Sequence, residues 1–324
     1  MKKILLVILA LSFSFLIGCS DTTVETLENI QETQENIPET SRAPLSLTIA
    51  TLPALEAFPI FIAYDQGFFA EEGLDIHLEQ FFNPRDRDVA FQTNEHIDGM
   101  VFDLVQLIIY QEAGIDLVAT SSSIGMASII GIEGVSSLED LEGQSVLMTS
   151  NTSMDYIVDR GLASVGLSID QIIVDEVPAL PTRLEMLLHG QAQGAVLPDP
   201  FVSMALEEGM NQLTTTYDLG INPFVFAFRR EVTQENLEAL HAFYRGINRA
   251  IDFLNTAQPE SFMDMLIETV GYPEHLKDRL VLPVFPPYAL PRTEIVQDVL
   301  DFTYTRGLTT QEFTVEQLIF DIRN

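Results

Sequence analysis

Cysteine is almost missing from this chain: Cys19 is the only one. No internal disulfide can form, so stability has to come from a packed core, and a body of about 280 residues is ample for one. Lysine is nearly as scarce, with Lys2, Lys3 and Lys277 alone. Against 48 acidic residues there are 16 basic ones, a formal net charge of −32. That inventory builds no basic patch, which excludes nucleic acid and anionic lipid headgroups as partners. The five histidines, His77, His96, His189, His241 and His275, are scattered without metal-ligand spacing. With no second thiol available, no zinc site is expected. No GxSxG elbow, phosphate loop or GxGxxG fingerprint occurs, and Gly131-Ile132-Glu133-Gly134 lacks the lysine of a phosphate loop. No pair of carboxylates stands out for acid–base work. Catalytic residues, metals and cofactors are therefore all expected to be absent.

The longest apolar run, Ile4 to Ile17, is too short to span a bilayer, which takes about 20 residues. It follows Met1-Lys2-Lys3 and ends at Gly18-Cys19, which is the layout of an export signal. Leu16-Ile17-Gly18-Cys19 resembles the lipobox of bacterial lipoproteins, where cleavage precedes the cysteine and the cysteine is lipidated. Residues 1–18 then read as a signal peptide and Cys19 as the anchor. Cleavage removes two lysines and no acid, taking the net charge from −32 to −34. Residues 19–44 are rich in Thr, Glu, Asn and Gln and read as a disordered tether. Its reach is about 25–30 Å. The protein is expected outside the inner membrane, in the periplasm or on the outer face of the cell membrane, held there by lipid alone.

From Leu45 the texture becomes an α/β alternation. Leu45–Ala50 alternates with period two, as a strand does. Pro59 to Glu72 reads as one helix ended by Gly73, with Leu74–Leu78 as the next strand. A short strand ends near Gly99 and a helix follows from Met100 to Ala113. Further strands are expected at Leu117–Thr120, Ser145–Met148, Ile172–Val174 and Gln193–Leu197. Helices are expected at Thr152–Ser164, Pro181–His189 and Phe201–Gly209. The last third is mainly helical. Leu237, Leu240, Tyr244, Ile247, Ile251 and Leu254 recur at helical spacing, and Pro259–Val270 and Arg292–Thr305 follow.

Three segments in this order resemble the SsuA/THI5-like (NMT1-like) solute-binding proteins. They are Pro59 to Ile76 (PIFIAYDQGFFAEEGLDI), Ser137 to Val146 (SLEDLEGQSV) and Gly190 to Ala195 (GQAQGA). The last has Gln193-Gly194 where that family usually has Asp-Ala. The resemblance implies a type II periplasmic binding protein: two α/β lobes joined by two crossing strands, with a ligand cleft between them. Lobe one would comprise residues 45–130 and 229–324, and lobe two residues 131–228. The crossings would lie near Ser128–Ile132 and Phe224–Phe228. The implied function is capture of a small solute for an ABC importer, with permease subunits as partners and the protein a monomer. One alternative is a THI5-like pyrimidine-synthesis enzyme, which would need a cysteine-rich stretch and a reactive lysine. Another is a sensor presenting ligand to a receptor.

In open α/β sheets ligands sit beyond the carboxyl ends of strands, near helix N-termini. Four stretches fit: Leu52–Phe58, Gly99–Asp103, Thr149–Met154 and Pro198–Phe201. Thr149, Ser150, Asn151, Thr152 and Ser153 offer donors suited to an anion such as a sulfonate. Glu56, Asp103 and Asp199 offer carboxylates, and Phe58, Phe102 and Phe201 offer flat apolar faces; that set suits an amino-bearing heterocycle such as a thiamine-related pyrimidine. No arginine or lysine lies in the four stretches, which favours the second class. The nearest, Arg183, is expected to form a surface ion pair with Glu185 or Glu176.

Overall fold

A computed structural model describes residues 45–323. The expected signal peptide, Cys19 and the expected tether lie outside them. Ten strands form two five-stranded sheets. The first holds β1 (Leu45–Thr51), β2 (Leu74–Gln80), β3 (Gly99–Asp103), β4 (Leu117–Ser122) and β10 (Phe224–Arg229), in the order β2-β1-β3-β10-β4. The second holds β5 (Ala127–Gly131), β6 (Ser145–Met148), β7 (Ile173–Glu176), β8 (Gly194–Pro198) and β9 (Asn211–Thr215), in the order β7-β6-β8-β5-β9. The sheets share one plan. Three parallel strands are followed by an antiparallel one, β10 in the first sheet and β5 in the second. Each antiparallel strand is the one that has just arrived from the other sheet, so it enters from the opposite end.

The chain therefore crosses through residues 123–126 and 216–223. The expected crossings at Ser128–Ile132 and Phe224–Phe228 lie instead inside single sheets. Both are apolar because they are buried central strands. The two crossings touch: a Cβ on Gly125 would lie 2.2 Å from the Phe224 ring, so only glycine fits there.

Apolar side chains leave both faces of the first sheet. Leu47, Ile49, Leu74 and Ile76 pack beneath the helix Leu237–Thr256, which buries Leu240, Phe243, Tyr244, Ile247 and Ile251. Ala50, Met100 and Phe102 pack on the other face, against the helices Leu104–Glu112 and Thr293–Thr305. The helix Ser153–Ser164 of the second lobe joins that same cluster through Tyr156, Ile157 and Leu162. Several boundaries differ from the sequence reading, and the helix expected at Pro259–Val270 begins only at Met263, after a single turn at Pro259–Ser261. Gly67 sits at φ 73°, in the left-handed region, and splits the expected Pro59–Glu72 helix into Phe58–Asp65 and Phe68–Glu71. Met100–Asp103 is strand rather than helix; the helix starts at Leu104, where Asp103 accepts a hydrogen bond from the Gln106 N–H at 2.9 Å. Among the described residues no helix is long and apolar enough to cross a membrane, and no cluster of metal-ligating side chains occurs.

Candidate ligand-binding site

Strand ends and the helix starts that follow them collect the polar residues of both lobes at one place. From the first lobe come Glu56, in the turn after β1, and Asp103, at the end of β3. From the second come Asp199, after β8, and the turn Thr149–Ser153, after β6. Glu56 keeps some exposed surface, but its carboxyl is closely enclosed. Burial pushes its pKa up, the Arg87 guanidinium pulls it back and the Asp199 carboxylate adds to the rise. Asp103 is raised by burial and restrained by its bond from Gln106, by Ser153 and by Arg87. Asp199 is also raised by burial, although Ser203 donates to it from N–H at 3.1 Å and from Oγ at 2.7 Å. Glu56 of the first lobe thus meets Asp199 of the second, and Asp103 of the first lobe faces Ser153 of the second. Among the described residues three buried hydroxyls, those of Thr51, Ser153 and Tyr288, have no hydrogen-bond partner. The Ser153 hydroxyl faces Asp103 but lies outside hydrogen-bond geometry.

The donors of the Thr149–Ser153 turn are largely in use. Ser150 donates to Glu176 from its N–H at 2.9 Å and from its Oγ at 2.7 Å. The Asn151 N–H bonds Asp155, and its carbonyl accepts from Gln106 Nε2 at 2.6 Å, across the lobes. Thr152 caps the Ser153–Ser164 helix by accepting from the Met154 N–H. An acidic side chain of the protein itself thus fills much of the place a free anion would take.

Arg183 does not form the expected surface ion pair. It is 1% exposed. Its Nε and Nη2 donate to the Val177 carbonyl at 3.0 and 2.8 Å, Nη1 to the Val196 carbonyl at 2.6 Å, and Nη2 to Thr149 Oγ1 at 2.5 Å. Burial lowers its pKa to about 10, and Glu176 opposes that fall. Arg183 is thus a strut under the Thr149 turn. Phe58 and Phe102 do not present open faces. Phe58 is fully buried against Phe262. Phe102 packs edge-on to Tyr110 with Arg87 over its ring. Phe201 is part-buried against the apolar cluster of the second lobe.

The sequence reading missed three contributors. Arg87 lies on the helix Pro84–Thr93, which has no apolar stripe to betray it; the usable signal was Asn83-Pro84, an N-cap followed by proline at the first turn. Its guanidinium is held by Asp88 at 2.7–2.8 Å and donates to the Val101 carbonyl at 3.0 Å. Tyr272 is 4% exposed, and the carboxylates of Asp199 and Glu56 add to the upward push of burial on its phenol. A narrow cavity runs from Glu56 past Ser121–Ile124 to Phe226, Tyr244, Phe285 and Tyr288. Its lining mixes these rings with prolines, isoleucines and the buried Ser121 and Ser123.

The sequence profile of the NMT1-like family matches residues 41–267. The chain belongs to the NMT1-like family. No curated protein sequence matches it. Among solved structures, this NMT1-like chain is similar to the periplasmic aliphatic sulphonate binding protein SsuA of Escherichia coli, at 20% identity and TM-score 0.74, covering 86% of this chain and 98% of that one. It is also similar to the periplasmic nitrate-binding protein NrtA of Synechocystis, at 14% identity and TM-score 0.66, with 84% of each chain covered. A desulfurization enzyme, DSZB, shares the fold at 10% identity and TM-score 0.62, covering 85% of this chain and 96% of that one. The two-lobed periplasmic-binding-protein fold is thereby shown for this NMT1-like protein, as the resemblance implied.

Proposed function

We propose that this protein is an extracytoplasmic solute-binding lipoprotein, anchored through Cys19, that captures a small organic solute between its lobes and delivers it to an ABC permease. The solute we favour carries an amine on a flat heterocycle, as a thiamine-related pyrimidine does. One observation carries the choice: Glu56 meets Asp199 across the lobes and Asp103 faces Ser153, while the cation near Glu56 and Asp103, Arg87, is already held by Asp88. A protonated amine restores a charge partner to carboxylates that burial otherwise holds up. A sulfonate or nitrate would meet the Glu176 carboxylate already seated on the Ser150 donors. SsuA and NrtA, a sulphonate-binding and a nitrate-binding protein, support the solute-capturing role rather than this ligand. A THI5-like synthase finds no support, since residues 45–324 contain no cysteine and only Lys277. That lysine is paired with Asp264.

A thermal-shift screen of the full chain tests this reading, with aminopyrimidines and thiamine set against taurine, alkanesulfonates and nitrate. A solute at 100 times its Kd adds about 2.7 kcal/mol of stability. A rise with the amines and none with the anions is expected. A rise with alkanesulfonates alone would overturn the choice of ligand, and mass spectrometry showing an unmodified Cys19 in membrane fractions would overturn the anchor.

A further inference from the structure

The segment that follows the helix Met263–Val270 reaches from the first lobe to the second. Gly271, at φ 90°, ends that helix in the left-handed region and turns the chain. Tyr272 and Leu276 then bury themselves in the first lobe, at 4% and 5% exposure, and Lys277 pairs back to Asp264. These contacts hold the segment to its own lobe and leave His275 and Arg279 pointing outward. Both meet Glu207, the last residue of the helix Phe201–Glu207, which packs on β5 and β8 of the second lobe. His275 Nε2 lies 2.6 Å from Glu207 Oε2, and Arg279 Nη2 donates to Glu207 Oε1. Both oxygens of one carboxylate are therefore engaged from the opposite lobe. Bonding to His275, with Arg279 assisting, lowers the Glu207 pKa.

The Gln106 bond to the Asn151 carbonyl is also exposed, but a second group of interlobe bonds has a different character. Tyr156 and Arg160 share Asp298, Tyr156 packs edge-on to Phe302, and Arg306 holds Asp155; the two tyrosine and phenylalanine rings are buried. Those contacts belong to the apolar core that both lobes share. The Glu207 contact is polar, with His275 and Arg279 each more than half exposed. It can open without exposing a core. Tyr272, in the same short segment, is the residue whose phenol lies near the site carboxylates Asp199 and Glu56.

We propose that Glu207, His275 and Arg279 form a clasp that holds the lobes together over the bound solute, with Tyr272 coupling the clasp to the site. The inference rests on the solute-capture reading, but its test needs no solute. Hydrogen–deuterium exchange is measured on the full chain, as wild type, as Glu207→Gln, and as the charge-reversed pair Glu207→Lys with Arg279→Glu. Loss of an exposed ion pair is expected to speed exchange of the cleft-lining amides at 52–56 and 149–153 about fivefold. The charge-reversed pair is expected to return them to near the wild-type rate, which a merely local structural role would not do. Faster exchange confined to 201–209 and 271–279, or equal behaviour of the single and paired variants, overturns the clasp. Either outcome leaves the solute screen to decide the capture reading separately.

Discussion

Replacing Arg183 by methionine gives the sharpest test of how the site is supported. The arginine is 1% exposed and makes four hydrogen bonds, three to backbone carbonyls and one to Thr149 Oγ1. Methionine fills similar volume but donates nothing, so the Val177 and Val196 carbonyls and the Thr149 hydroxyl lose their partner. An unsatisfied buried acceptor costs about 1–3 kcal/mol, and removing one member of a buried charged network about 3–5 kcal/mol. We expect a loss of about 3–5 kcal/mol in urea unfolding, with Tm lower by roughly 6–10 °C for a body this large. Arg183→Lys should rescue little, because an ammonium cannot reproduce a planar fork that serves three acceptors. Arg323→Met is the control: that arginine is largely exposed beside Asp321, and its loss should cost about 0.5 kcal/mol or less. If Arg183→Met costs no more than the control, Arg183 is the surface residue its sequence context suggests and the strut argument is wrong.

Three further outcomes follow from the geometry. Gly99→Ala places a Cβ 2.5 Å from the Phe228 ring and 2.9 Å from the Ala227 carbonyl, and should cost about 1–3 kcal/mol in urea unfolding. Glu112 accepts from Thr309, Thr310 and Gln311 at the surface, which pulls its pKa down to about 2. Its bonds stabilise the fold above the ordinary glutamate value and are lost as pH falls through about 2, and carboxylate NMR should find its pKa moved back up in Thr310→Val. Glu56 is raised by burial, so what its protonated form contributes is present in acid and lost as pH rises through the folded value. Glu56→Gln should therefore stabilise the solute-free protein by about 1 kcal/mol at pH 7.5, by less at pH 5, and weaken amine binding; an unstabilised variant at pH 7.5 would refute the desolvation argument.

Local signals in the sequence carried the elements well and their tertiary roles poorly. The apolar spacing from Leu237 to Leu254 specifies the long helix, and Thr152 and Asp103 cap helices as their types suggest. Strand period and cap chemistry are set within a few residues, so they can be read locally. Whether Phe58 faces a cleft or a core depends on Phe262, some two hundred residues away. Arg183 looked like a surface cation because Glu185 and Glu176 are near it in sequence, yet its partners are carbonyls on two other segments. Arg87 escaped for the opposite reason: the apolar residues of its helix, Val89, Ala90 and Phe91, are consecutive and not at helical spacing, so no periodicity announced it.

The net charge of −32 says nothing about the ligand, because an acidic surface is a matter of solubility. The local balance does speak to it. In the second lobe the turn that offers donors is countered by Glu176, and in the first lobe the arginine that offers a cation is countered by Asp88. Each feature that would draw an anion is thus neutralised from within its own lobe. Glu56, Asp103 and Asp199 have no such lysine or arginine bonded to them; their bonds come from a backbone N–H and from Ser203. What is left uncompensated at the place where the lobes meet is negative. The buried hydroxyls that lack partners, Thr51, Ser153 and Tyr288, can each accept as well as donate. A solute that brings N–H donors with a positive charge satisfies both kinds of group at once, whereas a solute that brings only acceptor oxygens would leave the carboxylates unpaired.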